Sequence, residues 1–137
     1  MSRGLLPDTS VLGRVNQAPV ADRLERAAAQ SRLWGCRPVT LELTYGVPAG
    51  RVPAALRIHE ALPMATVDDR VLDRALEVAR LMAERGLHRG AKAMDLVIAA
   101  AAENERLTVL HYDADFDRIA SVTNQPTEWV AEPGTLD

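Results

Sequence analysis

The chain has 137 residues, of which 47% are hydrophobic and 26% charged, with a formal net charge of −3 at pH 7. That size and balance suit one soluble domain over residues 1–137 with its own core, and exclude a disordered or membrane-embedded chain. A single lysine, Lys92, in a net acidic chain excludes a protein that grips nucleic acid through a broad basic surface; an acidic site whose charge is reversed by bound metal cations stays open.

Cys36 is the only cysteine, so neither an internal disulfide nor a Cys/His zinc site is available, which favours a reducing cytoplasm. The longest apolar run, Leu96 to Ala102, is far short of the roughly 20 residues that span a bilayer. Asp8 interrupts the N-terminal stretch before a signal-like region develops, so nothing directs export or membrane insertion.

In chain order, Leu5-Leu6 reads as a short first strand, ended by Pro7-Asp8-Thr9-Ser10, a run suited to a turn or helix start. Val20, Leu24, Ala27 and Ala28 recur at helical spacing within a helix from Pro19 to Ser31. Trp34 to Pro38 predicts a brief strand, and Val39 to Tyr45 a short helix carrying Glu42 and stopped at Gly46-Val47-Pro48. A helix from Pro53 to Leu62 leads through Pro63 into a strand over Met64 to Val67. Asp68-Asp69 suits a helix start, and Val71, Leu72, Ala75, Leu76, Ala79, Met82 and Ala83 form an apolar face that ends before Gly86. After the loop His88-Arg89-Gly90, Met94 to Glu105 is helical with Asp95 in its first turn, and Leu107 to Leu110 is a buried strand leading to Tyr112-Asp113. A helical segment from Asp115 to Ser121 and a strand around Thr127 to Val130 follow. Met1 to Gly4 and Pro133 to Asp137 read as loose ends. The alternation predicts an α/β protein with a mostly parallel central sheet covered on both faces.

Ligands of open parallel sheets bind outside the carboxyl ends of the strands, so acids directly after strands are the best placed for chemistry. Asp8 and Asp113 meet that test, Asp95 opens a helix between strands, and Glu42 lies on a helix able to lean over the same crevice. Carboxylates converging there would repel one another unless a cation joins them, and an all-oxygen set suits Mg²⁺ or Mn²⁺. Such an ion orients a phosphate, lowers the pKa of a bound water and stabilises a leaving oxygen.

The ordered set LLPDTSVL around Asp8, TLELTYG around Glu42, MDLVIAAAA from Met94 and VLHYDADFDRIA from Val109 resembles the PIN domain of VapC-type toxins across nearly the whole chain. The resemblance implies an α/β/α sandwich and Mg²⁺- or Mn²⁺-dependent endoribonuclease action on transfer or ribosomal RNA. It implies metal-binding acids at Asp8, Glu42, Asp95 and Asp113, with Asp115 similar to an additional acid, and Ser10 as a small hydroxyl residue lining the site. A VapB-like antitoxin that covers the site and a toxin homodimer are implied in the same way. Two positions depart from the pattern: Pro7 replaces an apolar residue, which predicts a ladder irregularity before Asp8, and His111 stands where Thr or Ser is common.

Each of these residues has a plainer reading. Asp8 and Ser10 suit a turn, Glu42 an exposed helix face, Asp95 a helix start, and Asp113, Asp115 and Asp117 a solvated acidic turn, with Asp117 read as surface. His111 is either a site residue or a structural strand-end histidine. Arg14, Arg51, Arg85, Arg89 and Lys92 are candidates for phosphate contacts, and equally for ordinary surface charges. Trp34, Tyr45 and Tyr112 are the few aromatics able to stack on a base, each more simply explained by packing. Competing functions are an RNA-processing PIN nuclease, a receiver-type module, a haloacid-dehalogenase type of phosphatase and a non-catalytic scaffold. The receiver reading lacks an acidic pair after strand one and a late lysine, and the phosphatase reading lacks an Asp where Ser10 stands.

Overall fold

The computed structural model describes residues 2–137. Strand β1 (Gly4–Pro7) runs into a single helical turn, α1 (Thr9–Leu12), and then helix α2 (Ala18–Ala29). Helix α3 (Arg37–Leu43), a 3₁₀ turn (Ala49–Arg51), α4 (Val52–Glu60), α5 (Asp69–Glu84) and α6 (Ala93–Asn104) precede strand β2 (Leu107–His111). Helix α7 (Asp115–Thr123) and strand β3 (Thr127–Trp129) complete the order. The sheet is parallel in the order β1-β2-β3, with Leu6 opposite Val109 and His111 opposite Trp129. No helix among the described residues is long and apolar enough to cross a membrane.

Alternation along β1 sends neighbouring side chains into two separate cores. Leu5 packs with Val11, Val20, Ala27 and Leu110 on the face covered by α2. Leu6 packs with Val39, Ile98, Val109, Phe116 and Ile119 on the face covered by α3, α5, α6 and α7. The sheet is thus sandwiched between helices, as the sequence pattern predicts. Asp68 caps α5 by accepting from the Val71 N–H at 3.1 Å, and Val71, Ala75, Val78 and Met82 are its buried stripe. Helix α6 has Ile98 to Ala102 wholly buried, and its alanines let it lie close against β2 and α5.

Four expectations are corrected. The strands predicted over Trp34–Pro38 and Met64–Val67 shrink to single parallel bridges, Leu5 with Leu33 and Gly35 with Met64. Arg37-Pro38 instead opens α3, where the missing proline N–H lies among donors that a helix start leaves free. The ladder irregularity at Pro7 does not occur, because Gly4 to Pro7 pair in unbroken register with Leu107 to Leu110. Asp8 N–H donates to Leu110 O at 2.9 Å while Leu5 N–H donates to Arg32 O at 2.8 Å, so even-numbered residues face β2 and odd ones face the Leu33 side. Pro7 therefore lacks a donor only toward the side where pairing has already ended. The C-terminal segment is not loose either: Leu136 N–H donates to Tyr112 Oη at 2.9 Å, and Asp137 N–H donates to Gln17 Oε1 at 3.0 Å. At the other end Arg3 N–H donates to Arg106 O at 2.8 Å, while the Met1 end of that expectation lies outside the described residues.

His59 joins α4 to α3 in the core. The Thr40 hydroxyl donates to Cys36 O at 3.0 Å, so the His59 Nδ1–H donates to Thr40 Oγ1 at 2.7 Å, and Nε2 is enclosed without a partner among the described residues. Burial, with Arg37 nearby, holds this imidazole below its ordinary pKa. The folded state then binds fewer protons than the unfolded one, and stability present above about pH 6.5 is lost as pH falls. Urea unfolding at pH 7.5 and pH 5.5 is expected to show this loss, and His59→Gln is expected to flatten it; an equal slope in both proteins would assign the loss elsewhere.

Candidate metal centre

The carboxyl edge of the sheet collects the acids. Asp8 follows β1 directly and caps α1, its Oδ2 accepting from the Ser10 N–H at 3.1 Å and from Ser10 Oγ at 2.7 Å. Ser10 Oγ in turn accepts from the Tyr112 N–H at 2.9 Å, which ties the ends of β1 and β2 together. Asp113 Oδ1 accepts from the Asp115 N–H at 2.9 Å, turning the chain into α7. Asp95 projects from the first turn of α6. Asp95, Asp113 and Asp115 each offer a carboxylate oxygen, and these lie within 4.8 Å of one another.

Asp8 and Asp95 are only 3% and 4% exposed, and Asp8 Oδ1 and Asp95 Oδ2 are buried without a hydrogen-bond donor among the described residues. Buried carboxylate oxygens are costly unless paired. Burial is the main cause that lifts Asp95 to about 7, followed by the Asp8 charge, with hydrogen bonding to Asp115 and the Asp113 charge adding to it. For Asp115 burial works upward, but hydrogen bonds from Lys92 and Asp95 outweigh it and hold the group below its ordinary value. Without a divalent ion, burial and the neighbouring carboxylates thus hold Asp95 well above the usual carboxylate range, with its hydrogen bond directed to Asp115. An all-oxygen set with two orphaned buried oxygens is a donor set that fits Mg²⁺ or Mn²⁺.

Asp8 and Glu42 both lie outside that group of three; Glu42 is tied to the neighbour of Asp8, Thr9 Oγ1 donating to Glu42 Oε1 at 2.7 Å. The charges of Asp8 and Glu42 both reach Cys36, whose thiol is pushed up to about 12 mainly by burial. A thiol held protonated in this way is no nucleophile. Thr9 has no separate signal in the sequence apart from its place between Asp8 and Ser10.

His111 is fully buried, its ring centroid 5.2 Å from that of Phe116 and 4.9 Å from that of Trp129. Its Nδ1 accepts from the Asp113 N–H at 3.2 Å, so the ring proton is on Nε2, and burial keeps the ring neutral. The fully buried side chain thus anchors the Asp113 backbone. Asp117 accepts from Trp129 Nε1 at 3.1 Å, consistent with a surface role.

Two cations complete the site. Lys92 Nζ lies 3.2 Å from both Asp113 Oδ2 and Asp115 Oδ2, and Arg118 Nη1 donates to Asp115 Oδ1 at 2.9 Å. Arg118 was no candidate by sequence, although its i,i+3 spacing from Asp115 is a readable signal. Arg14 sits at the margin, its guanidinium 4.7 Å over the Tyr112 ring and its Nη1 donating to Ser10 O at 2.6 Å. Arg85 instead reaches Ser121 O at 2.8 Å.

A family model for the PIN domain matches residues 5–122. Ribonuclease VapC21 of Mycobacterium tuberculosis is 39% identical over 140 residues, covering 98% of this chain and 99% of the relative. The chain belongs to the VapC-type PIN-domain family. Ribonuclease VapC51 of the same species is 38% identical with full coverage of both chains. Among solved structures, DNA-bound VapBC from Salmonella typhimurium superposes with a TM-score of 0.75 at 18% identity, covering 96% of this chain and 100% of that one. VapBC2 from Rickettsia felis, bound to a promoter DNA fragment, gives 0.74 at 20% identity over 91% and 98%. The VapC-type fold is the one predicted from the ordered motifs; of the predicted acids, Asp95, Asp113 and Asp115 cluster within 4.8 Å of one another, and Asp8 and Glu42 lie outside that cluster.

Proposed function

We propose that this chain is a metal-dependent endoribonuclease, the toxin of a toxin–antitoxin pair, that hydrolyses phosphodiester bonds of transfer or ribosomal RNA. The observation that carries the reading is the convergence of Asp95, Asp113 and Asp115 beside buried Asp8, with unpartnered carboxylate oxygens at the carboxyl edge of the sheet. The names of the Mycobacterium relatives support the ribonuclease assignment.

In this reading Asp8, Asp95, Asp113 and Asp115 hold Mg²⁺ or Mn²⁺, and Glu42 stands at the outer side of the site through Thr9. The ion would supply a more acidic water, orient the phosphate and offset charge on the leaving oxygen. The chain offers no side-chain nucleophile there: Ser10 is engaged with Asp8 and Tyr112, and Cys36 is buried and protonated. Water is therefore the attacking group.

A VapB-like antitoxin belongs to the same reading, supported by the VapBC complexes among the structural neighbours. An apolar groove lined by Leu41, Leu56, Leu72, Met94 and Val97, with Met94 the sequence neighbour of Asp95, offers such a partner an apolar seat. A homodimer is implied with it, as in the resemblance from which the antitoxin is drawn. The pair would act in the cytoplasm, where the lone thiol Cys36 stays reduced.

The test is cleavage of purified transfer and ribosomal RNA with Mg²⁺ or Mn²⁺. Discrete fragments are expected, and EDTA, Asp8→Ala or Asp95→Ala should each remove them by more than the roughly 10- to 100-fold that outer-shell changes cost. Fragments that persist in EDTA would reject the metal-dependent reading.

A further inference from the structure

Lys92 stands in the middle of the acid cluster. Its Nζ is 3.2 Å from Asp113 Oδ2, 3.2 Å from Asp115 Oδ2 and 3.7 Å from Asp95 Oδ2. The same three carboxylates are the ones whose oxygens approach within 4.8 Å of each other. The ammonium thus takes the position from which a divalent cation would reach those oxygens. Independently, Asp8 Oδ1 is buried with no partner among the described residues, and Asp95 Oδ2 has only the long 3.7 Å approach of the ammonium and no hydrogen bond, so the ammonium leaves part of the donor set unsatisfied.

The backbone sets this arrangement up. Lys92 is the residue that opens α6, in extended conformation with φ −76° and ψ 152°, and it lies three positions before Asp95. The turn into the helix carries its stem over the acids, while the side chain stays 70% exposed and free to swing into water. Lysine suits such a contact better than arginine, being a compact charge on a flexible stem with no fixed fork to hold. It is the only lysine in the chain. Arg118 covers the opposite oxygen of Asp115, so loss of Lys92 would leave Asp113 and Asp95 without a cation.

We propose that Lys92 is a built-in counter-ion of the acid site, an intramolecular competitor that a divalent metal must displace before Asp95, Asp113 and Asp115 can bind it. The inference rests on the metal-site reading above. One positive charge balances the cluster in part while the metal is absent, and a divalent ion with more oxygen ligands outcompetes it once its concentration rises. The Lys92 side chain is 70% exposed although its carboxylate partners are 6–25% exposed, so the ammonium can withdraw into water when the metal arrives. The site would then load only above a threshold of divalent ion that Lys92 sets.

Calorimetric titration of Mn²⁺ into the full chain tests this, comparing the parent with Lys92→Met, Lys92→Arg and Asp95→Asn. Lys92→Met keeps the stem and removes the charge. It is expected to bind Mn²⁺ about tenfold more tightly, the factor that about 1.4 kcal/mol represents. Lys92→Arg should stay near the parent, and Asp95→Asn should lose binding. Metal-free Lys92→Met should also melt below the parent, with the gap closing in Mn²⁺. If the parent binds Mn²⁺ and Lys92→Met binds it equally or more weakly, the counter-ion role is overturned and the metal site stands. If neither binds Mn²⁺, the metal site and the counter-ion role fall together.

Discussion

Asp95→Asn is expected to give a protein that melts higher than the parent at pH 8 without divalent ion and that cleaves no RNA. The reason is the position of Asp95, 4% exposed, beside Asp8 and against Asp115 and Asp113. Folding lifts its carboxyl from 3.8 to about 7. Between those values the folded state binds more protons than the unfolded one, so stability falls as pH rises through this window. At about 1.4 kcal/mol per pH unit, the ionised carboxylate opposes folding at pH 8 by something on the order of 2–4 kcal/mol. A neutral amide of the same shape removes that penalty, and a melting temperature higher by about 5 °C or more is expected. At pH 5 the difference should be clearly smaller, and it should vanish only below about pH 3.8, where the carboxyl is neutral in the unfolded chain as well. Saturating Mn²⁺ should reverse the order, because only the parent then gains stability from a ligand bound to the folded state. Melting curves at pH 5 and 8, with and without Mn²⁺, check all of these; an Asn variant that melts lower at pH 8 would show that Asp95 is not strained in the fold. The stability cost and the proposed activity are thus two aspects of one buried carboxylate.

The apolar pairs and runs Leu5-Leu6 and Leu107 to Leu110 mark β1 and β2 in the sequence because a central parallel strand is buried on both faces. The Asp68 cap and the Val71 to Met82 stripe mark α5 equally well. Leu33, Gly35 and Met64 are a different matter. Their pairing consists of one bridge each, formed as the chain passes the sheet edge, and two or three residues carry no period to read. Composition at Trp34–Pro38 and Met64–Val67 identifies apolar segments near the sheet without showing that their ladders stop almost at once. At the site, Asp8 and Asp113 are readable from their place after strands, whereas Glu42 is chosen only through the family pattern, and its link through Thr9 appears only in three dimensions. Lys92 is visible as a basic residue three positions before Asp95. A charge count records its sign, but its place among three carboxylates depends on the turn between α6 and the preceding loop.

His111→Ala is expected to cost about 3 kcal/mol of stability, the scale of removing a buried ring from a packed core. The ring is wholly enclosed between Phe116 and Trp129, which fixes α7 and β3 against the end of β2. The same ring accepts the Asp113 N–H, so the Ala variant also releases the backbone that aims Asp113 at the cluster. His111→Asn separates the two effects. Its Oδ1 can replace Nδ1 as the acceptor of that N–H, while its smaller side chain leaves much of the ring's space unfilled. Urea unfolding should therefore rank parent, Asn and Ala in falling stability, with Asn still well below the parent. Cleavage at saturating Mn²⁺ should fall about tenfold or more for Ala and recover most of the way for Asn. Equal activity in the two variants would make His111 a packing residue alone. Recovery of activity without recovery of stability would show that a strand-end histidine outside the crevice positions an acid inside it.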